Sequence, residues 1–256
     1  MSRILITGSA DGLGLMAGQR LAQEGHLVTL HARNAARAEE AKRQLPQAEQ
    51  VLIGDVSTLA AMRSVATQAN ESGPFDAVIH NVAIGYQEPK RVLTADGIER
   101  VFAINALAPY VLTALITPPK RLVYLSSGLH RSGDPDMGDP QFASRRWSGS
   151  QAYSNSKLYN VLLAFAVARK WPEVFSNALE PGWVATKMGG AGAPDDLELG
   201  CVTQAWLAVS GDREAQVSGQ YFFHQRPRET HRAVHDETVQ DAFLAYCESL
   251  SGIESP

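Results

Sequence analysis

The run Arg3-Ile4-Leu5-Ile6-Thr7 is short and apolar, and a turn carrying Gly8, Gly12 and Gly14 follows it directly. Such a run reads as a buried strand. Behind the glycines lies a helical stretch through Glu24, which Gly25 caps. No other feature restricts the fold as much. A strand that passes through a glycine-rich turn into a helix aims free backbone N–H groups at one point. It adds the helix dipole and removes the side chains that would hold an anion away. At the first βα junction, this is a cradle for the diphosphate of a dinucleotide. Gly8, Ser9, Asp11, Gly12, Leu13 and Gly14 are the contact residues it predicts.

The pattern repeats along the chain. Strands are expected at 26–32, 51–54, 77–81 and 122–125. Helical stretches separate them: 35–45, which Asn34 caps, then 58–71, then a region that Thr94-Ala95-Asp96-Gly97 opens and Pro118-Pro119 closes. A sixth strand at 174–179, a helix at 202–209 and a last strand at 219–223 follow. Asp236 caps a final helix with Val239, Phe243, Cys247 and Leu250 on one face. Such alternation predicts a doubly wound parallel sheet flanked by helices, a Rossmann-type α/β fold. No repeat or composition shift interrupts it, so residues 1–256 read as one dinucleotide-binding domain.

The end of the second strand sets cofactor preference. An acidic residue there binds the ribose 2′-hydroxyl of NAD, whereas an arginine accommodates the 2′-phosphate of NADP. Ala32 and Arg33 stand at this point, and no carboxylate occurs before Glu39. A guanidinium binds oxyanions bidentately, so Arg33 favours NADP, with NAD the alternative. Asp55, just past the third strand, either accepts from an adenine amino group or caps the next helix. Asn105 is a lone amide in an apolar stretch. A buried amide must find partners, either a neighbouring backbone or a water held in a site.

Tyr153-Ser154-Asn155-Ser156-Lys157 opens a helical run without Pro or Gly through Ala168. Residues four apart share a helix face, about 6 Å apart along the axis. The phenol of Tyr153 and the ammonium of Lys157 therefore point into one space. A free tyrosine has a pKa of about 10, and a neighbouring cation lowers it. To be largely ionised near neutral pH, the phenol needs roughly 4 kcal/mol of differential stabilisation. A tyrosine tuned in this way exchanges a proton in catalysis. The irregular segment 128–150 lies between Ser127 and Tyr153 and is expected to border the site. The glycine-rich segment 187–200 reads as a second, mobile substrate loop.

A net charge of −4 and a pI of about 6.0 argue against nucleic acid and against an anionic membrane surface as partners. No apolar run reaches the ~18 residues of a membrane span. Cys201 and Cys247 belong to no CxxC or Cys/His cluster, which predicts reduced thiols and no structural zinc. A strand-like run beginning at Arg3 leaves no signal peptide, and a soluble cytoplasmic protein is expected. His231 and His235 are four apart but lack a third ligand nearby, so no metal site is assigned.

With these stretches in place, the chain resembles the short-chain dehydrogenase/reductase family over nearly its whole length. The resemblance rests on Thr7-Gly8-x-x-x-Gly12-x-Gly14, Asp55, Asn105, Ser127, Tyr153-x-x-x-Lys157 and Pro181-Gly182. Ala32-Arg33, Ser126-Ser127-Gly128-Leu129-His130 and Gly219-Gln220-Tyr221-Phe222-Phe223 look like its retinol-dehydrogenase-like branch. The resemblance implies that Tyr153 protonates a carbonyl oxygen as hydride arrives from the nicotinamide, or deprotonates the alcohol in reverse. It implies that Lys157 acidifies that phenol and bonds the nicotinamide ribose, that Ser127 orients the substrate oxygen, and that Asn105 holds a water for proton return. Further cofactor contacts are implied at Val56, Asn81, Val82, Ala83, Pro181, Gly182, Val184 and Thr186. The family also implies a small-molecule carbonyl or alcohol substrate and a homodimer or homotetramer. Where the family usually has Asn-Asn-Ala-Gly, this chain has His80-Asn81-Val82-Ala83, and the Cβ of Ala83 narrows the approach to the cofactor.

The expected activity is NADP-dependent interconversion of a lipophilic ketone or aldehyde and its alcohol. The alternative is a non-catalytic sensor of the NADP redox state, which would have no need of an acid/base. A serine hydrolase would need a G-x-S-x-G elbow, and the chain has none.

Overall fold

Alternate residues of the first strand enter different cores: Leu5 packs on one side of the sheet, Ile4 and Ile6 on the other. This period of two, in a strand apolar on both faces, dictates a sheet covered by helices on both sides. The computed structural model describes residues 1–256. Its strands are β1 (Arg3–Ile6), β2 (Leu27–Ala32), β3 (Gln50–Ile53), β4 (Ala77–His80), β5 (Arg121–Leu125), β6 (Phe175–Glu180), β7 (Tyr221–Phe223) and β8 (Arg226–Pro227). They form one sheet in the order β3-β2-β1-β4-β5-β6-β7-β8. All neighbours are parallel except β7 and β8. The α/β doubly wound fold expected from the alternation is the fold observed.

Helices α1 (Gly12–Gln23), α2 (Ala35–Gln44) and α7 (Leu199–Val209) cover one face. The other face carries α3 (Leu59–Glu71), α4 (Arg100–Phe102), α5 (Ala108–Leu115), α6 (Gly149–Lys170) and α8 (Glu237–Ser251). Caps set two helix starts as expected, Asn34 accepting from Arg37 N and Asp236 from Thr238 N, while α3 is capped by Thr58, which accepts from Ala61 N, and not by Asp55. Every residue of α6 from Ala152 to Val167 is buried, so this helix is packed all round.

Three local expectations are corrected. The helix expected from Thr94 begins only at Arg100. Thr94 N bonds Ile98 O, which closes a turn, and both carboxylate oxygens of Glu99 cap α4 through Val101 N and Phe102 N at 2.8 Å. Between α4 and α5 the helix widens to a π turn at Ala103–Leu107, centred on Asn105. Pro109 stands four residues after Asn105, has no N–H to return to its carbonyl, and its ring crowds that oxygen. The third is β8, which has no counterpart in the expected strands. It follows a two-residue turn with positive φ at both His224 (48°) and Gln225 (62°), positions where Asn or Gly is the usual signal.

Candidate active site

In an open α/β sheet the ligand crevice lies beyond the carboxyl ends of the strands, where the strand order reverses. Here that point falls between β1 and β4. The glycine turn and Asn81 face each other across it. The Asn81 amide donates to Thr7 O (3.1 Å) and Gly8 O (2.9 Å), and Thr7 Oγ1 accepts from Asn81 N and Val82 N. The three glycines serve different ends. A Cβ on Gly8 would lie 2.7 Å from Val82 Cα, and one on Gly14 would collide with the Asn81 amide. Gly12 has φ +55° and nothing within 4 Å of its absent Cβ, so its space is open to a ligand. The N–H groups of Gly12, Leu13 and Gly14 begin α1 and take no partner from the chain. Open space, three orphan donors and a helix dipole fit a dinucleotide diphosphate.

Two of the expected contacts, Ser9 and Val56, are turned into the protein. The Ser9 hydroxyl is buried and bonds Ile6 O and His31 N. Val56 is buried in the core beneath β3. The Asp55 carboxylate is exposed and accepts from Ser57 N, while Thr58 caps α3. Arg33 is exposed and makes no ion pair. Arg37, one turn on, reaches Asp11 Oδ2 at 2.7 Å, and Lys187 reaches the same oxygen at 2.6 Å. Burial pushes the Asp11 carboxyl up, but the two cations outweigh it and hold it below the usual range. Ala83 has no left-handed φ, so its backbone accepts a Cβ without strain.

His31 escaped the sequence reading. Its Nδ1 accepts from Gly8 N at 3.0 Å and its Nε2 donates to Gly54 O at 2.9 Å, tying the glycine turn to the end of β3. Burial lowers its pKa, which keeps the ring neutral and able to accept from Gly8.

Across the crevice, α6 brings Tyr153 and Lys157 together on one face. Lys157 Nζ lies 5.6 Å from the centre of the Tyr153 ring and donates to Leu125 O at 2.9 Å. The expected acidification is not what the chain alone produces. Burial pushes the Tyr153 phenol up to about 12, and the Ser127 hydroxyl beside it only partly offsets this. Burial also brings Lys157 down to about 7, so near neutral pH its charge is only partial and acidifies the phenol weakly.

Asn105 is fully buried and has its partners within the chain. It accepts from Ile84 N (2.8 Å) and donates to Ile84 O (3.0 Å) and Ser156 Oγ (3.1 Å), which pins the loop after β4 to α6. Of the two readings of this amide, the backbone-bonded one describes its side chain. Ser127 caps a short 3-10 helix, Gly128–Ser132. The His130 ring Nδ1 donates to Ser127 O at 2.7 Å.

A cavity of about 500 Å³ opens over Tyr153 and Ser127. Pro181, Gly182, Val184 and Thr186 form one wall, with Trp183 beside them, half exposed. Gly182 has φ +88°, and a Cβ there would lie 2.8 Å from Asp195 Oδ2. From segment 187–200 come Met188, Gly189 and Asp195, and the Tyr153 hydroxyl donates to Met188 Sδ at 3.8 Å. From segment 128–150 only Gly128 and Leu129 reach the cavity. Its middle folds instead on Asp139, which accepts from Ala143 N, Ser144 N and Arg145 N. Trp147 packs on Phe142 and lies outside the cavity.

The short chain dehydrogenase family model matches residues 2–128. An uncharacterized oxidoreductase of Emericella nidulans is 42% identical over 260 residues, covering 100% of this chain and 99% of the relative. The chain belongs to the short-chain dehydrogenase/reductase family. Retinol dehydrogenase 14 of Homo sapiens is 31% identical to this dehydrogenase/reductase over 294 residues, covering 98% of the chain and 86% of that protein. An uncharacterized protein from Mycobacterium Paratuberculosis, solved by crystallography, shares the fold with a TM-score of 0.84 and 27% identity. The match covers 100% of this chain and 95% of that one. Membership makes the protein an oxidoreductase and implies an NAD(P) cofactor, which the crevice at Gly12 fits. No helix of this dehydrogenase/reductase is long and apolar enough to cross a membrane.

The cavity also holds residues the sequence reading passed over. Tyr86 lines it, its ring edge-on to Tyr153 at 5.9 Å. Glu180, the last residue of β6, lines it with Phe223 and Arg228. A carboxylate ending an apolar strand just before Pro181-Gly182 was the available signal for Glu180. Nothing local marks Arg228, which arrives through the unexpected hairpin.

Proposed function

We propose that this oxidoreductase uses NADP to interconvert a lipophilic ketone or aldehyde and its alcohol, with Tyr153 as general acid/base. One observation carries the reading. The Tyr153 hydroxyl faces an apolar-walled cavity with Ser127 beside it and the Lys157 ammonium beneath its ring. The nicotinamide, when bound, supplies the hydride or accepts it.

The remaining work falls to side chains. Ser127 donates to the substrate oxygen and holds it at Tyr153. A phenol raised to about 12 keeps its proton at neutral pH, so Tyr153 is set to give that proton to a nascent alkoxide. Lys157, at about 7, changes protonation most easily at neutral pH and restores the phenol proton after turnover. Asn105 acts indirectly, by fixing α6 against the Ile84 loop. Met188 must leave Tyr153 when the substrate oxygen takes its place. Arg33 receives the ribose 2′-phosphate, Asp55 the adenine amino group, and residues 1–256 work as one domain.

Tyr153→Phe tests this directly. Turnover of ketones should fall by about 10²- to 10⁴-fold while NADPH binding, read by nicotinamide fluorescence, stays close to that of the wild type. Retained turnover would rule out the acid/base role.

A further inference from the structure

The cavity is apolar over most of its wall, yet it ends on a held guanidinium. Arg228 Nη1 donates to Glu180 Oε1 at 2.8 Å, and the guanidinium carbon lies 4.9 Å from the centre of the Phe223 ring. It is thus fixed in its plane by a carboxylate and across its face by an aromatic ring. Its remaining N–H groups have no partner in the chain, and the side chain, 45% exposed, lines the cavity.

Glu180 does not neutralise this end of the cavity. It is buried, and Arg131 Nη2 stands 3.6 Å from the same Oε1, so two cations share one carboxylate. The carboxylate is wedged behind Gly128, whose absent Cβ would lie 2.5 Å from Glu180 Oε2. The cluster of Arg228, Arg131 and Glu180 adjoins Ser127 and carries a net positive charge, and Asp195, the other carboxylate lining the cavity, is engaged by Trp183 N at 2.6 Å. The hairpin that delivers Arg228 keeps two non-glycine residues at positive φ, a conformation that costs free energy and persists only where the surroundings enforce it.

We propose that Arg228 is an anion subsite of the substrate cavity, so the substrate is a ketone, or its alcohol, that also bears a carboxylate. The apolar wall of Leu129, Trp183 and Phe223 takes the carbon body, and the free edge of Arg228 takes the carboxylate as a bidentate pair. This deepens the carbonyl-reductase reading above and rests on it. A guanidinium already oriented by Glu180 and Phe223 loses little side-chain freedom on binding, which favours affinity.

The test uses three keto acids of increasing carbonyl-to-carboxylate separation, namely phenylglyoxylate, 3-benzoylpropanoate and 4-benzoylbutanoate, each beside its methyl ester. Turnover with NADPH and binding to the enzyme–NADP complex by calorimetry are both measured. In the wild type at least one acid should exceed its ester by about tenfold or more in kcat/KM and in affinity. Arg228→Met should collapse that ratio by about tenfold, chiefly through KM, and Arg228→Lys should restore part of it. Arg131 still pairs with Glu180 in both variants, and an unchanged thermal transition checks their folding. Esters equal to or better than acids throughout, or a ratio untouched in Arg228→Met, would overturn the subsite and leave the reductase reading standing. An Arg228-dependent preference for acids in binding, with no turnover of any compound, would uphold the subsite and sink the reductase reading.

Discussion

Replacing Lys157 with methionine should make the protein more stable, not less. Lys157 is 3% exposed, and burial brings its pKa from 10.5 to about 7. The folded state therefore holds that proton more weakly than the unfolded chain, and protonation favours unfolding. The sign follows directly. The cost is complete below about pH 7, shrinks as pH rises, and vanishes above the unfolded value of about 10.5. At 1.36 kcal/mol per pKa unit, its ceiling is about 5 kcal/mol. Lys157→Met removes this cost and keeps most of the packing volume. It also deprives Leu125 O of its 2.9 Å donor, leaving Asn160 Nδ2 at 3.4 Å, a loss of about 1 kcal/mol. A net gain of several kcal/mol remains at pH 6. At about 2–4 °C per kcal/mol for a chain of this size, the melting temperature should rise by roughly 10 °C. Thermal unfolding of both proteins from pH 6 to pH 10, without added nucleotide, reads this out. The gap should be widest at pH 6 and close toward pH 10. A variant no more stable than the wild type at pH 6, or a gap independent of pH, would refute the reasoning.

Two further substitutions probe the cofactor crevice. Gly14→Ala drives a Cβ into the Asn81 amide, which must release Thr7 O and Gly8 O, so with two buried hydrogen bonds lost from the glycine turn nucleotide binding should weaken by about tenfold or more; unchanged titration of NADPH fluorescence would contradict this. Arg33→Ala should weaken NADPH by about 1.5–3 kcal/mol and NADH far less. Equal losses for the two cofactors would make Arg33 structural and shift attention to Arg37.

Much of the fold was legible because its signals are local. Apolar runs of four to six residues, caps such as Asn34 and Asp236, and glycines at positive φ act within one turn of chain. Departures occur where distant contacts decide. At the α4 cap, the π turn and the hairpin to β8 a long-range bond joins the local cause: Glu99 N donates to Gln141 Oε1, Asn105 Nδ2 to Ser156 Oγ, and Gln225 N to Thr203 Oγ1. The Pro109 signal for the π turn was present, and its consequence lay in helix geometry rather than composition.

The primary structure alone determined that this chain forms a parallel α/β sheet with a phosphate-sized opening after its first strand, because backbone permissiveness at Gly12 and strand periodicity need no partners. It also determined that Tyr153 and Lys157 share a helix face. Only tertiary packing decided their protonation: burial of α6 from Ala152 to Val167 keeps the phenol protonated and makes the amine labile, whereas sequence proximity alone implied the reverse for the phenol. Packing also joined Arg228, Glu180 and Arg131 from three separate segments, since charge-pair energies follow distance in space and not position along the chain.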